Sequence, residues 1–373
     1  MGTWRLQQQA DSFTLSEGGG EQVLSFDREG RLLTWFVRGV TYKRALNSRL
    51  LARRREGEVR LRWEIPAWEV PELFAVMHGA VELAQQELHA PLLKKVLHWT
   101  PDNLMAERER FATAYAPVSI LPPDQYFAVV VQATRGCSWN KCTFCTFYRD
   151  RAFTVQPPAA FAAHLNAVKT LLGEAASLRK SIFVADGNAL MLANHKLLPL
   201  LDMAKATFPG RDLHGFLDVN TGSRKSVPDW QELREAGVRR VYLGLETGHD
   251  PLLAWLNKPG SADQAAELIT DLKAAGLNVG PIFMTGVGGQ KYAEKHVQDT
   301  LTLLQRLPLS AGDIVYLSPF VEHGPYAELA RQDGVLPISP EEVGQQEHLF
   351  REQLKATHPD VKAARYDIQE FLY

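Results

Sequence analysis

The sequence predicts an α/β fold in which six strand–helix units build an open, partial barrel or, alternatively, a doubly wound sheet. Three observations carry this. From Leu121 onward, apolar strand-like runs alternate with amphipathic helical stretches, which implies a parallel sheet covered by helices. Before Leu121 the pattern is a short β-then-α region. Past Phe320 comes one more helical stretch and an aromatic-rich tail, "YDIQEFLY". The expected divisions are an N-terminal α+β region (1–120), a core (121–325) and a C-terminal helical extension (326–373).

In the first region, "QVLSFDREGRLLTWFVRGVTYKRAL" has apolar runs broken at "DREG" and "RG", the mark of a short meander. The basic run Arg53-Arg54-Arg55 is short and reads as solvated surface. Two helices follow, "PELFAVMHGAVELAQQEL" and "TPDNLMAERERFATAYA", the second opening with Thr100 as N-cap and Pro101 in its first turn. The core strands are "YFAVVVQA", "SIFVADG", "LHGFLDVN", "VRRVYLGLE", "LNVGPIFMTG" and "DIVYLSPF". Between them lie five helical stretches. "HKLLPLLDMAKATF" is stopped by Pro209-Gly210, and "SADQAAELITDLKAAG" runs from the N-cap Ser261 to Gly276. "PEEVGQQEHLFREQLKATH" is the last helix, and no repeat at a solenoid period appears.

Composition is that of an ordinary globular chain, with 45% hydrophobic and 23% charged residues. A net charge of -2 gives no general reason to expect nucleic acid or an anionic membrane as partner. Apolar runs are far shorter than the ~20 residues of a membrane span. The opening "MGTWRLQQQADSF" lacks the pattern of a secretory signal, and clustered thiols without a disulfide pattern suit a reducing cytoplasm.

Polar residues gather where the core strands end, the face at which parallel α/β folds bind ligands. The strands end in Asp186-Gly187-Asn188, Asn220-Thr221-Gly222, Glu246-Thr247-Gly248, Thr285-Gly286 and Ser318-Pro319. Any one of these could merely cap the next helix. The first strand, however, ends in "RGCSWNKCTFC", which holds all three cysteines of the chain: Cys137, Cys142 and Cys145. A disulfide framework would spread an even number through the chain, and a structural zinc site uses four ligands. Three thiols in one loop suit a metal centre with one open coordination position, and the polar strand ends then read as one shared site.

Cys137-x4-Cys142-x2-Cys145 after a first strand, with Phe144 before the last cysteine, resembles the radical S-adenosylmethionine (SAM) superfamily. The commonest spacing there has three residues between the first two cysteines, whereas this chain has four, Ser138 to Lys141. The resemblance covers roughly residues 121 to 320 and is closest to the branch of oxygen-independent coproporphyrinogen oxidase and the methylthiotransferases. It implies a partial (βα)6 TIM-like barrel holding one oxygen-sensitive 4Fe-4S cluster on the three cysteines, with SAM on the fourth iron. It further implies reductive cleavage of SAM to a 5′-deoxyadenosyl radical, with electrons from a donor such as flavodoxin or ferredoxin.

Site residues follow from the same resemblance. Asp186, Gly187 and Asn188 stand where relatives carry a Gly-Gly-Glu-like segment that binds the SAM amino group. Glu246 would hydrogen-bond the ribose, and Asn220 would supply a second polar contact or simply shape a turn. Lys258 stands where relatives carry an arginine facing the SAM carboxylate. Gly286 would let the backbone approach the adenine, and Phe144, Met284 and Phe320 would flank it or pack in the core.

No cysteine remains for an auxiliary cluster or for hydrogen donation, and no Asp-x-His-x-x-Gly cobalamin signature is present. The expectation is a single-cluster enzyme acting on a small-molecule substrate. Alternatives are a haem-handling protein, with His195, His214 and His249 as candidate iron ligands, a tRNA- or peptide-modifying relative, and a structural metal site without SAM.

Overall fold

The computed structural model describes residues 3–57 and 59–373. The N-terminal region is a seven-stranded antiparallel meander in sequential order: β1 (Arg5–Gln8), β2 (Ser12–Glu17), β3 (Gln22–Asp27), β4 (Leu32–Val37), β5 (Val40–Arg44), β6 (Leu50–Glu56) and β7 (Val59–Glu64). Alternation along these strands turns Phe13, Leu15, Leu24, Phe26 and Leu50 to one face. Helices α1 (Val70–Leu88), α2 (Pro91–Leu97) and α3 (Pro101–Ala114) cover that face. The stripe Val70, Phe74, Met77, Val81 and Ala84 of α1 steps by four and three, so one helix face is buried along its length. Thr100 caps α3 as the sequence suggests, its hydroxyl accepting from Asn103 N at 3.2 Å. Arg53, Arg54 and Arg55 lie exposed on β6.

Residues 129–365 form the parallel sheet. Strands β8 (Val129–Gln132), β11 (Ser181–Ala185), β12 (Asp212–Leu217), β13 (Val238–Glu246), β14 (Asn278–Thr285) and β15 (Ile314–Pro319) are the six expected ones, in that spatial order. A two-residue ribbon, β9 (Thr134–Arg135) with β10 (Thr154–Val155), brackets the cysteine loop. Helices α4 (Pro158–Leu172), α5 (Asn194–Thr207), α6 (Val219–Gly222), α7 (Val227–Glu235), α8 (Asp250–Trp255), α9 (Ala262–Ala274) and α10 (Gly289–Arg306) connect the strands. After β15 come α11 (Gly324–Gln332) and α12 (Pro340–Thr357).

One difference from the sequence reading is structural. The C-terminal extension is not only helical: Lys362–Arg365 forms β16, a seventh parallel strand paired with β15. "KAAR" has no apolar run, and its lysine, alanines and arginine are helix formers, so only pairing with an existing edge makes it a strand.

The tail then crosses the gap between the two ends of the open sheet. Tyr373 Oη accepts from Val130 N at 3.1 Å and donates to Ala128 O at 3.2 Å. Tyr115 Oη donates to Val130 O at 3.0 Å. Two phenols thus satisfy polar groups on the outer edge of β8 that an eighth strand would otherwise bond. "YDIQEFLY" therefore packs on the barrel wall.

Below, Asp124 closes the barrel floor. It accepts from Tyr242 Oη and Tyr316 Oη, each at 2.6 Å, and from Arg240 at 2.8 Å. Burial alone would raise its pKa, but these donors hold it below the usual carboxylate value. Asp124→Ala is expected to lower unfolding free energy by about 2 kcal/mol, because these three partners and Gln125 Nε2, which donates at 3.0 Å, lose their acceptor. Denaturant titration checks this, and an unchanged midpoint would show that water replaces the carboxylate there.

Candidate cofactor-binding site

The C-terminal ends of the parallel strands surround one cavity with some 1110 Å3 of empty space between its walls. The cavity is open to solvent on one side. Cys137, Cys142 and Cys145 all line it, together with Phe144, Gly187, Asn188, Glu246 and Lys258. Asp186, Asn220 and Gly286 do not.

The cysteine loop has no regular structure of its own and is held by hydrogen bonds at both flanks. Asp186, 3% exposed, accepts from Gly136 N (2.8 Å), Gln132 Nε2 (2.9 Å) and Arg151 Nε (3.2 Å). Its carboxylate is consumed in anchoring the loop, which corrects the expectation that it meets a ligand. On the other side, Thr143 N donates to Leu256 O at 3.0 Å and Trp139 Nε1 to Asn257 O at 2.8 Å. The four-residue spacer Ser138–Lys141 thereby docks on the corner that carries Lys258. Asn140 takes φ +50° there, a region open to asparagine.

The three thiols are free and partly exposed to the cavity. Burial pushes the Cys142 thiol up to about 12 and Cys145 in the same direction. No group of three His, Cys, Asp or Glu among the described residues is set to hold a single metal ion. A cluster that takes each thiolate on a different iron asks for wider spacing, and it leaves one iron without a protein ligand. Three free thiols lining one cavity fit such a cluster.

Glu246 is placed by an irregularity that the sequence does not announce. The register between β13 and β14 shifts between Gly244 and Glu246, and Glu246 takes φ +64°. Such a bulge re-aims a side chain, here into the cavity, in a conformation ordinary residues avoid by roughly 1–2 kcal/mol. Its Oε1 pairs with Lys258 Nζ at 3.2 Å, both side chains being nearly buried. Burial alone would lower the pKa of Lys258; the charges of Glu246 and Cys142 outweigh it and raise the value. At Gly244 a Cβ would collide with the Glu246 carboxylate and crowd Lys258 Nζ at 3.2 Å, so any larger residue there would push the pair aside.

Asn188 lines the cavity, and its Nδ2 lies within hydrogen-bond reach of Ser138 Oγ (3.2 Å), Thr221 Oγ1 (2.9 Å) and the Asp218 carboxylate, among which it shares its two protons. It links the cysteine loop to the end of the third core strand. There the cavity residue is Asp218, not Asn220: Asp218 caps α6 by accepting from Thr221 N at 2.8 Å and also faces the cavity. The sequence does show a carboxylate at the end of "LHGFLDVN", but a capping aspartate carries no mark of a second role. Gly286 packs against α12: its N donates to Gln346 Oε1 at 2.8 Å, and a Cβ would meet Val343 at 2.9 Å. The wall positions next to it are Met284 and Phe320.

Behind the site, His296 bridges the ends of β13 and β14, with Thr247 Oγ1 at 2.7 Å and Met284 O at 3.0 Å. Nothing in the sequence marks it. Burial lowers His296 and His214 to about 4 each. Both stabilise the fold only while neutral, so their contribution is full above the unfolded value near 6.5 and is lost as pH falls toward 4. Burial lowers His164 to about 4 in the same way, so a urea midpoint falling steadily from pH 6.5 to 4, with uptake of about three protons on unfolding, is the expected result. A pH-independent midpoint over that window would contradict it.

The histidines considered for haem do not come together. His195 is exposed on α5, His214 sits with Tyr242 at 6.3 Å between ring centroids, and His249 Nδ1 contacts Asp299 at 2.7 Å. None lines the cavity, whereas His323 does.

Residues 131–304 match the family model described as Radical SAM superfamily. A 168-residue stretch is 29% identical to the heme chaperone HemW of Bacillus subtilis (strain 168), covering 44% of this chain and 42% of that protein. The match thus spans less than half of that curated relative. Coproporphyrinogen III oxidase (HemN) from Escherichia coli aligns at 14% identity and a TM-score of 0.46, over 67% of this chain and 56% of that one. Methylornithine synthase (PylB) aligns at 14% identity and a TM-score of 0.42, over 79% and 84%. No helix among the described residues is long and apolar enough to cross a membrane. With its cysteine loop at the head of an open parallel barrel, the chain carries a domain of the radical SAM superfamily.

Proposed function

We propose that Cys137, Cys142 and Cys145 hold one 4Fe-4S cluster, that S-adenosylmethionine lies beside it, and that the chain is a radical SAM enzyme acting on a small molecule. The observation that carries this is the convergence of three free thiols and the Glu246–Lys258 pair on one cavity. When bound, a cluster of this kind supplies the electron that cleaves SAM to a 5′-deoxyadenosyl radical, chemistry belonging to the cofactors. The chain's own residues bind and orient. Lys258 offers the cavity's cationic charge to a carboxylate, and Glu246 accepts from ligand hydroxyls. Asn188, tied to Ser138, keeps the second strand end against the cysteine loop. Phe144, packed with Leu252, Leu256 and Met284, gives an apolar wall suited to an adenine face. A reducing compartment and a small electron-transfer protein such as flavodoxin or ferredoxin complete the reading.

The test is anaerobic reconstitution with iron and sulfide, reduction with dithionite and quantification of 5′-deoxyadenosine. Product formation supports the enzyme reading. Glu246→Gln is expected to raise the Kd for SAM about 10-fold or more with the cluster intact, the loss of a charge-assisted acceptor. An unchanged Kd removes Glu246 from the binding site.

A second reading, haem handling without catalysis, is favoured by the likeness to a protein named as a heme chaperone and by His323 on the cavity wall. Haemin titration separates the two. A Soret shift lost in His323→Ala, without SAM cleavage in the parent protein, supports the second.

A further inference from the structure

We infer that the substrate is an uncharged, largely apolar molecule that offers a hydrogen-bond acceptor to the phenols of Tyr148 and Tyr366. This rests on the cofactor reading above, which assigns the polar end of the cavity. Among the described residues, Lys258 is the one lysine or arginine on the cavity wall, and it is already paired with Glu246. The remaining acids, Asp218 and Glu246, are both hydrogen-bonded within the protein. No lysine or arginine is left unpaired on the wall to receive a second anion.

The wall away from the cysteines is apolar. It is built by Ile120 on the linker into the barrel, Phe147 after the cysteine loop, Phe216 and Ile282 on the strands, and Ile368 on the tail. Placing a carboxylate or phosphate against these side chains without a counter-ion is strongly unfavourable, because the charge loses its hydration with nothing in return. An uncharged ligand meets no such penalty, and it gains from the apolar area it covers.

The phenols of Tyr148 and Tyr366 interrupt this wall, which Ser318 and His323 also border. Tyr148 is 6% exposed and Tyr366 3% exposed, both line the cavity, and neither hydroxyl has a hydrogen-bond partner among the described residues. Neither oxygen is among the buried side-chain atoms left without a partner, so both reach open space. Here the open side is the cavity itself. Burial raises the pKa of Tyr366 well above the ordinary value, so it stays a neutral donor. Tyr366 is fixed from behind by Tyr316, at 5.6 Å between ring centroids, and Tyr316 is held in turn by Asp124. The donor is thus positioned before any ligand arrives, which limits the entropy lost on binding.

The experiment uses the cluster-loaded protein with SAM, unreduced, and two probes that share one hydrocarbon: 2-acetylnaphthalene, a neutral ketone, and 2-naphthoate, an anion. Calorimetric titration is expected to show the ketone binding at least about 10-fold tighter, in line with the cost of an unpaired charge. Tyr366→Phe is expected to weaken the ketone about 2- to 10-fold, the worth of one neutral hydrogen bond, with cluster absorbance and SAM affinity unchanged. Ile368→Lys, which adds a cation to the same wall, is expected to shift the preference toward 2-naphthoate.

Equal or tighter binding of 2-naphthoate by the parent protein overturns the inference, as does the binding of neither probe. Ketone affinity unmoved by Tyr366→Phe and by Tyr148→Phe overturns the role of the phenols. If no cluster assembles or SAM does not bind, the cofactor reading fails by itself. The same probe pair on the cluster-free protein then decides the charge preference of the cavity independently.

Discussion

Cys145→Ala is expected to leave a folded protein that assembles no stable 4Fe-4S cluster and forms 5′-deoxyadenosine at least about 100-fold more slowly than the parent. The chain has three cysteines and all three line the cavity, so no other thiol can replace a lost ligand. The histidine on the wall, His323, is the N-cap residue of α11, far from the loop in sequence. The fold itself should notice little. The thiols are only partly buried, and their loop is held by Asp186, Thr143 and Trp139 rather than by sulfur, so the change should lower stability by about 1 kcal/mol or less. Far-UV circular dichroism and a denaturation midpoint report the fold, and the visible absorbance near the thiolate-to-iron bands reports the cluster. Parent-like cleavage by Cys145→Ala would remove the cluster assignment. A variant that fails to fold would be checked against Cys145→Ser, which keeps the volume and offers a poorer ligand.

Asp186→Ala is expected to have the second largest effect, on stability and cluster retention rather than on SAM affinity. The carboxylate is buried and accepts from a backbone amide, a side-chain amide and a guanidinium. Truncation leaves Arg151 and Gly136 N without that acceptor, which is expected to cost about 3–5 kcal/mol. The cysteine loop loses its anchor at the same time, because Gly136 precedes the first cysteine. Reconstituted Asp186→Ala should therefore bleach within a titration that the parent survives, while whatever fraction stays loaded binds SAM with the parent Kd. A raised Kd with parent stability would instead put Asp186 against the ligand, as its place in the sequence suggests. Asp186→Asn, which keeps one acceptor oxygen, should fall between the two.

That contrast shows where the sequence is legible and where it is not. The six core strands could be read directly, because each is a mainly apolar run, largely buried on both faces and bounded by helix signals. The cysteine loop and the neighbourhood of Glu246, Lys258, Gly187 and Asn188 could be read from their place at strand ends. What could not be read is direction. Asp186 and Gly187 are adjacent, yet one faces inward to the loop's anchor and the other lines the cavity. Asn220 and Asp218 are two residues apart, and only Asp218 faces the ligand space. Glu246 reaches the cavity through a bulge and a positive φ that no residue pattern encodes.

The sequence by itself determined the α/β class, the strand and helix order, the thiol set and the face on which they lie, because these follow from local periodicity and capping. The tertiary structure alone decided three other things: the seventh strand from "KAAR", the tail's phenols across the edge of β8, and the union of Tyr148 and Tyr366 on one wall. Each joins residues distant in the chain, and such contacts depend on how the strands pair and twist in space rather than on any short run of residues.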